Sequence, residues 1–210
     1  EDARLCFSRH ATSKIYNDQD LFCIQTLGFR GEAIPSIASI SHFVLKTSDG
    51  NQGSTVIYEF GKFIEQKQSD LNRGTNISVS KLFQNVPARL KYIKSVNAEF
   101  AHIQNYVERL SLSHPDIAFT LIHNDKMTYK TNGNGNLLEV IHQIYGLSVV
   151  KNMLNLKAGN DEFQIEGFIG KIEVNRASKN HIVTMVNHRI VTNQVAIDAI
   201  NQAYRKYLAD

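Results

Sequence analysis

Apolar residues recur with helical spacing at the start of the chain and pass into a polar run, "RHATSKI". The spacing predicts a helix up to about Arg9. Asp18 or Asp20 then caps a second short helix with Leu21, Ile24 and Leu27 on one face and Gly28 at its end. Gly31 opens a third helix, with Pro35 in its first turn and Ile34, Ile37 and Ala38 inward. Strand patterns follow in "HFVLKTS", "STVIYEF", "KFIEQKQ" and "TNISVSKLF", with Gly61-Lys62 as a tight connection. Phe100, Ile103, Val107 and Leu110 predict a long amphipathic helix capped by Asn97 and stopped at His114-Pro115. "IAFTLIHNDKMTYKT" reads as a hairpin turning at Asn124-Asp125.

Beyond it, "TNGNGN" at 131–136 is the candidate linker. No strand–glycine–helix framing makes Gly133 and Gly135 a nucleotide fingerprint. A helix over 137–145, strands at "FQIEGFIG" and "HIVTMVN", and a closing helix after Asn193 with Val195, Ala199, Ile200 and Ala203 inward complete the pattern. There is no internal repeat. Two domains are expected, 1–132 and 133–210.

Composition narrows the classes. Of 210 residues, 42% are hydrophobic and 20% charged, which is ordinary for a folded globular chain. A formal charge of +3 permits a polyanionic partner without requiring one. Two cysteines, Cys6 and Cys23, make no disulfide framework or CxxC pair, which favours a reducing compartment. No apolar run is long enough to span a bilayer and no signal-peptide pattern opens the chain, so no membrane association is expected. The start, "EDARLCF", lacks methionine and lies inside an amphipathic pattern, and the chain reads as an internal fragment.

Three stretches carry candidate chemistry. In "GFRGEA", glycines allow positive φ and close ligand approach, and a helix starting behind them presents unpaired N–H groups. That outline suits a phosphate and equally an ordinary turn between helices. The lack of a following "GKS" or "GKT" rules out a P-loop. Upstream, Arg9, His10, Thr12, Ser13 and Lys14 concentrate positive charge and hydroxyls, which suit an anion or a solvated loop alike. The third, "GTNISVSKLFQNVPARLKYI", is a strand and a stiff turn followed by basic Arg89, Lys91 and Lys94, a solvated face or a binding surface. The eight histidines show no metal-ligand spacing, and no GxSxG or Cys/His framing supports hydrolytic triad chemistry.

In this order and spacing, "RHATSKI", "GFRGEA" and "GT…LFQNVPARLKYI", with the later "VNHRIV", closely resemble the MutL family of DNA mismatch-repair proteins, from the middle of its N-terminal half. The resemblance covers essentially the whole chain. It implies an α+β fold: the C-terminal part of a GHKL (Bergerat-type) ATP-binding α/β sandwich, followed by an α/β domain like domain 2 of ribosomal protein five. It also implies ATP as ligand, with Thr12, Ser13, Lys14, Gly28, Arg30, Gly31, Glu32, Ala33 and Ile34 near the phosphates and Thr75 near the adenine. The backbone of 31–34 is the part of this set that helix-start physics supports. Arg189 corresponds to the family's DNA-linked arginine, with Arg89, Lys91 and Lys94 as further DNA candidates. His188 stands where the family has glycine.

By the same resemblance the general-base glutamate, the Mg²⁺-binding asparagine and the adenine-reading aspartate lie upstream of Glu1, and a γ-phosphate lysine lies beyond Asp210. General-base activation alone is worth about 10²–10⁴ in rate, so the chain by itself is expected not to hydrolyse ATP. The intact parent is expected to be a cytoplasmic ATPase, nucleoid-associated during repair if bacterial. It joins its N-terminal halves on ATP, binds DNA, and couples a MutS-type mismatch-recognition protein to later repair steps. The rival reading is a non-enzymatic DNA- or protein-binding module with structural glycine turns. A weaker one is another GHKL ATPase such as a topoisomerase subunit, against which "NVPARLKYI" argues.

Overall fold

The computed structural model describes residues 2–15, 17, 26–176, 178 and 181–208. The chain forms two compact units, Glu1–Lys94 and Ser95–Asp210.

In the first unit, helices α1 (Asp2–Leu5) and α2 (Ala33–Ala38) accompany strands β1 (His42–Ser48), β2 (Gly53–Glu59), β3 (Lys62–Gln68) and β4 (Gly74–Ser80). A short helix, α3 (Pro87–Leu90), follows. The strands form one antiparallel sheet in the order β3-β2-β1-β4. Alternation along β1 and β2 puts Phe43 opposite Tyr58 and Leu45 opposite Val56 on one face. Phe7 and Ala38 close over them, with Phe7 stacked at 4.1 Å on Tyr58 and edge-on at 5.3 Å to Phe43. Burying each large apolar side chain here contributes about 1.5–3 kcal/mol, which clamps α1 and α2 to the sheet. Ile77 and Val79 pair with Leu45 and Phe43 and share that face, yet both are exposed.

The β2–β3 turn is Phe60-Gly61, with φ of 48° and 82°, one residue earlier than the expected Gly61-Lys62. Lys62 is instead the first strand residue, paired with Glu59. The first helix ends at Leu5 rather than near Arg9. Ile34 and Ala38 face the core as expected, whereas Ile37 is exposed. The helix expected after Asp18 or Asp20, with Leu21, Cys23 and Ile24, lies outside the described residues; Leu27 at its expected end is exposed.

In the second unit, α4 (Val96–Ser113) leads into the hairpin β5 (Thr120–His123) and β6 (Lys126–Lys130), then α5 (Leu137–Tyr145) and α6 (Leu147–Val150). The hairpins β7 (Met153–Gly159)–β8 (Gln164–Gly170) and β9 (Thr184–Val186)–β10 (Arg189–Val191) follow, and α7 (Gln194–Tyr204) closes the unit. Ser95, not Asn97, caps α4, its hydroxyl accepting the Ala98 N–H at 3.4 Å. The Asn124-Asp125 turn is as expected, both residues at positive φ. Leu112, Val140 and Ile141 form the buried centre, with Met153, Phe168 and Met185 packed against it.

Residues 131–136 form a built loop inside this unit. Thr131 is buried and bonded to Phe119 through its N–H and its hydroxyl, both at 2.9 Å. Gly133, at φ +65°, lies so close to the Ala118 backbone that a Cβ would sit 2.8 Å from the Ile117 carbonyl carbon. In α7 the inward residue is Ile197, 8% exposed, while Val195, expected inward, is 78% exposed. The Tyr204 hydroxyl ties α7 to β8 by donating to the Gly170 carbonyl at 2.6 Å.

Candidate functional site

The first unit joins the two glycine- and hydroxyl-bearing stretches. Gly31 takes φ +61°, and a Cβ there would lie 2.7 Å from the Ala11 carbonyl carbon. The "GFRG" turn is therefore seated on the backbone of the "RHATSKI" loop, and only glycine fits. Glu32 stands at the N-cap of α2 without a side-chain cap bond. Its Oε1 is shielded from solvent and lies 2.9 Å from His10 Nδ1, a charge contact rather than an aligned hydrogen bond.

The remaining proposed phosphate residues fall within three positions of Ala11 or Gly31 along the chain. Thr12 is half-buried, and its Oγ1 accepts the Lys14 N–H at 3.1 Å, which curls the loop. Ser13 and Lys14 are exposed. A Cβ on Gly28 would meet nothing within 4 Å, so this glycine borders open space. Arg30 is exposed, its guanidinium 5.4 Å from the centre of the Phe29 ring. Ala33 and Ile34 begin α2, ahead of its first backbone bond from Ser36 to Glu32, so the first-turn N–H groups have no partner within the helix. With only six residues α2 has a small dipole, and the Glu32 carboxylate opposes an anion there unless His10 is protonated.

Thr75 lies apart from this junction. It sits on β4 opposite Thr47, with the two hydroxyl oxygens 3.0 Å apart. Along β1, Thr47 is about 17 Å of strand rise from His42, the end nearest α2. Periodicity did not signal the Ala11–Gly31 seat or the His10–Glu32 contact; the glycine itself was the one available sign.

The basic candidates fall in both units. Arg89 lies in the last turn of α3, with Lys91 and Lys94 exposed just after it and Tyr92 86% exposed between them. Arg189 is half-buried on β10, opposite Val186 and directly after the Asn187-His188 turn. That turn has φ of 48° and 61°, and the His188 ring faces the His114 ring at 6.2 Å. Among the described residues no group of three or more His, Cys, Asp or Glu could hold a metal ion, so no Mg²⁺ ligand set is assigned. No helix among them is long and apolar enough to cross a membrane.

The fold defines the class. The chain matches the "Aquifex aeolicus MutL ATPase domain complexed with ADP" at a TM-score of 0.69 and 21% identity, covering 89% of this chain and 71% of that one. It matches the "N terminal domain of a DNA repair protein" at a TM-score of 0.75 and 21% identity, covering 97% and 65%. These matches bear out the fold that the resemblance implies, the C-terminal part of a GHKL-type α/β sandwich followed by a ribosomal-protein-like α/β domain.

Sequence carries the assignment further. Residues 141–210 match the family described as "DNA mismatch repair protein, C-terminal domain". The chain is 49% identical over 99% of its length to the DNA mismatch repair protein MutL of Listeria innocua, and 46% identical over 99% to that of Anoxybacillus flavithermus. Over the segment it spans, the chain is similar to MutL proteins of DNA mismatch repair. That segment is 35% and 34% of the length of these two relatives.

Proposed function

We propose that the chain belongs to an ATP-binding and ATP-hydrolysing protein of DNA mismatch repair, a matchmaker that joins its N-terminal halves on ATP and releases them after hydrolysis. The observation that carries this reading is the 49% identity, over 99% of the chain, to a MutL protein. Lys14 and Arg30 supply positive charge beside the first-turn N–H groups of α2, and Thr12, Ser13, Gly28, Gly31, Glu32, Ala33 and Ile34 shape the seat. Thr75 lies on the adenine side. Mg²⁺ would accompany ATP, and no step is assigned to it.

Domain bounds of 1–132 and 133–210 belong to the same proposal, as do a cytoplasmic location and a MutS-type partner. DNA contact is assigned to Arg189 first and to Arg89, Lys91 and Lys94 after it. It is electrostatic, salt-dependent and largely independent of sequence.

The alternative, a binding module with structural glycines, is favoured by one observation: the space beside Gly31 is filled by Ala11 rather than left for a ligand. Steady-state ATP hydrolysis by the full-length parent, measured with light scattering in a non-hydrolysable ATP analogue, separates the two. Hydrolysis together with analogue-dependent association supports the ATPase. A folded parent with neither activity supports the module. Residues 1–210 alone are expected to hydrolyse no ATP above the buffer rate.

A further inference from the structure

Residues 131–136 contain two Asn-Gly pairs, Asn132-Gly133 and Asn134-Gly135. Glycine leaves its own N–H unshielded, so such pairs are the sequences in which an asparagine amide is most easily lost. Both asparagines are exposed, yet the fold treats them differently.

Asn134 is held at both ends of its side-chain amide. Its Nδ2 donates to Glu139 Oε2 at 2.8 Å and its Oδ1 accepts the Asn136 N–H at 3.0 Å. The N–H of Gly135, the nucleophile its deamidation needs, donates to the Pro115 carbonyl at 3.0 Å. Asn132 has one long contact, from Nδ2 to Glu139 Oε2 at 3.4 Å. The Gly133 N–H donates no hydrogen bond among the described residues.

We propose that Asn132 is a site of spontaneous deamidation and that the fold protects Asn134. The Gly133 nitrogen attacks Cγ of Asn132 and forms an N–Cγ bond as the Cγ–Nδ2 bond breaks. The Gly133 proton leaves with the amide nitrogen as ammonia, and a cyclic imide remains. Water opens either imide carbonyl, leaving an aspartyl or an isoaspartyl residue. No oxidant or reductant takes part.

The product disturbs a specific place. Glu139 receives amide donors from Asn132, Asn134 and Asn136, and a carboxylate at 132 replaces one donor with a like charge. The isoaspartyl form also adds a methylene to the main chain. That insertion falls between Thr131, whose N–H is bonded to the Phe119 carbonyl, and Gly133, packed on Ala118. The β6–α5 connection loosens as a result.

The test incubates the folded chain at mildly alkaline pH and follows deamidation at 132 and 134 by peptide mapping with an isoaspartate readout. A parallel sample is kept in concentrated urea. In the folded chain, conversion at 132 is expected to outpace that at 134 by about fivefold or more, the factor set by one typical net hydrogen bond. In urea the two rates converge. Equal rates in the folded chain, faster loss at 134, or conversion at 132 only in urea would overturn the proposal. The variant Asn132→Asp is expected to exchange the Thr131 amide hydrogen faster than the parent; unchanged exchange would overturn the proposed loosening.

Discussion

His10 Nδ1 lies 2.9 Å from Glu32 Oε1, and this contact crosses the line where Gly31 rests on Ala11. The side chains and the backbone join the same two loops at very different cost. His10 is largely exposed, so its charge contact contributes little. His10→Ala is expected to change unfolding free energy by at most about 1 kcal/mol. Gly31→Ala forces a Cβ into the Ala11 backbone at positive φ and is expected to cost about 1–3 kcal/mol. Urea unfolding of both variants measures the contrast, and equal effects would mean that the seat is not tight.

The Ser111–Tyr129 contact predicts an asymmetry. Their oxygens are 2.6 Å apart in a buried setting, and Ser111 already donates to the Glu108 carbonyl at 2.7 Å. The tyrosine hydroxyl is therefore the donor of the pair. Ser111→Ala leaves that donor buried without a partner, at about 1–3 kcal/mol, whereas Tyr129→Phe removes a bond of about 0.5–1.5 kcal/mol and leaves Ser111 bonded. Thermal unfolding of the two variants reads the difference.

The Asn187-His188 turn predicts a stabilising substitution. A non-glycine residue in the left-handed region costs roughly 1–2 kcal/mol, and two-residue hairpin turns favour glycine at the second position. His188→Gly is expected to raise stability by about 0.5–1 kcal/mol, part of the gain being offset by the lost contact with His114. His188→Val is expected to lower it. Two melting curves against the parent suffice.

Much of this was legible from local pattern. The β1 and β3 spans, the Asn124-Asp125 turn and the bounds of α5 follow from alternation, turn chemistry and helical spacing, all signals within a few residues. The β7 strand was missed although Leu154, Leu156 and Ala158 alternate with Asn155 and Lys157, because the Asn, Lys, Ala and Gly of "MLNLKAG" have low strand propensity and its partner, β8, lies across a turn. The face of α7 was misassigned because Val195 continues an apolar spacing that packing does not use; Ile197 is the buried residue. The Thr12–Lys14 loop and the Gly31 turn were each visible as possible anion-binding stretches. Their contact was not, because a Gly31–Ala11 seat is backbone against backbone and leaves no side-chain pattern.

Glu59 supplies a pH prediction. A hydrogen bond from Lys81 at 2.8 Å, with the ammonium's charge next in weight, holds its carboxyl below the usual glutamate range. A depressed folded value means that the pair's contribution is present above the unfolded glutamate pKa, about 4.3, and is lost as pH falls through the folded value. Lys81→Met should move the Glu59 titration, followed by NMR, up toward the ordinary value. An unmoved midpoint would show that Lys81 does not set it.

The sharpest test of the phosphate seat is equilibrium binding of a non-hydrolysable ATP analogue to the full-length parent and to its Lys14→Ala/Arg30→Ala variant. Lys14 and Arg30 are exposed, so the substitutions should leave stability nearly unchanged. With both cations at the phosphates, the variant should bind at least about tenfold more weakly, the usual loss for hydrogen bonds to charged groups. Equal affinity in parent and variant, or a folded parent that binds no analogue, would contradict the assignment.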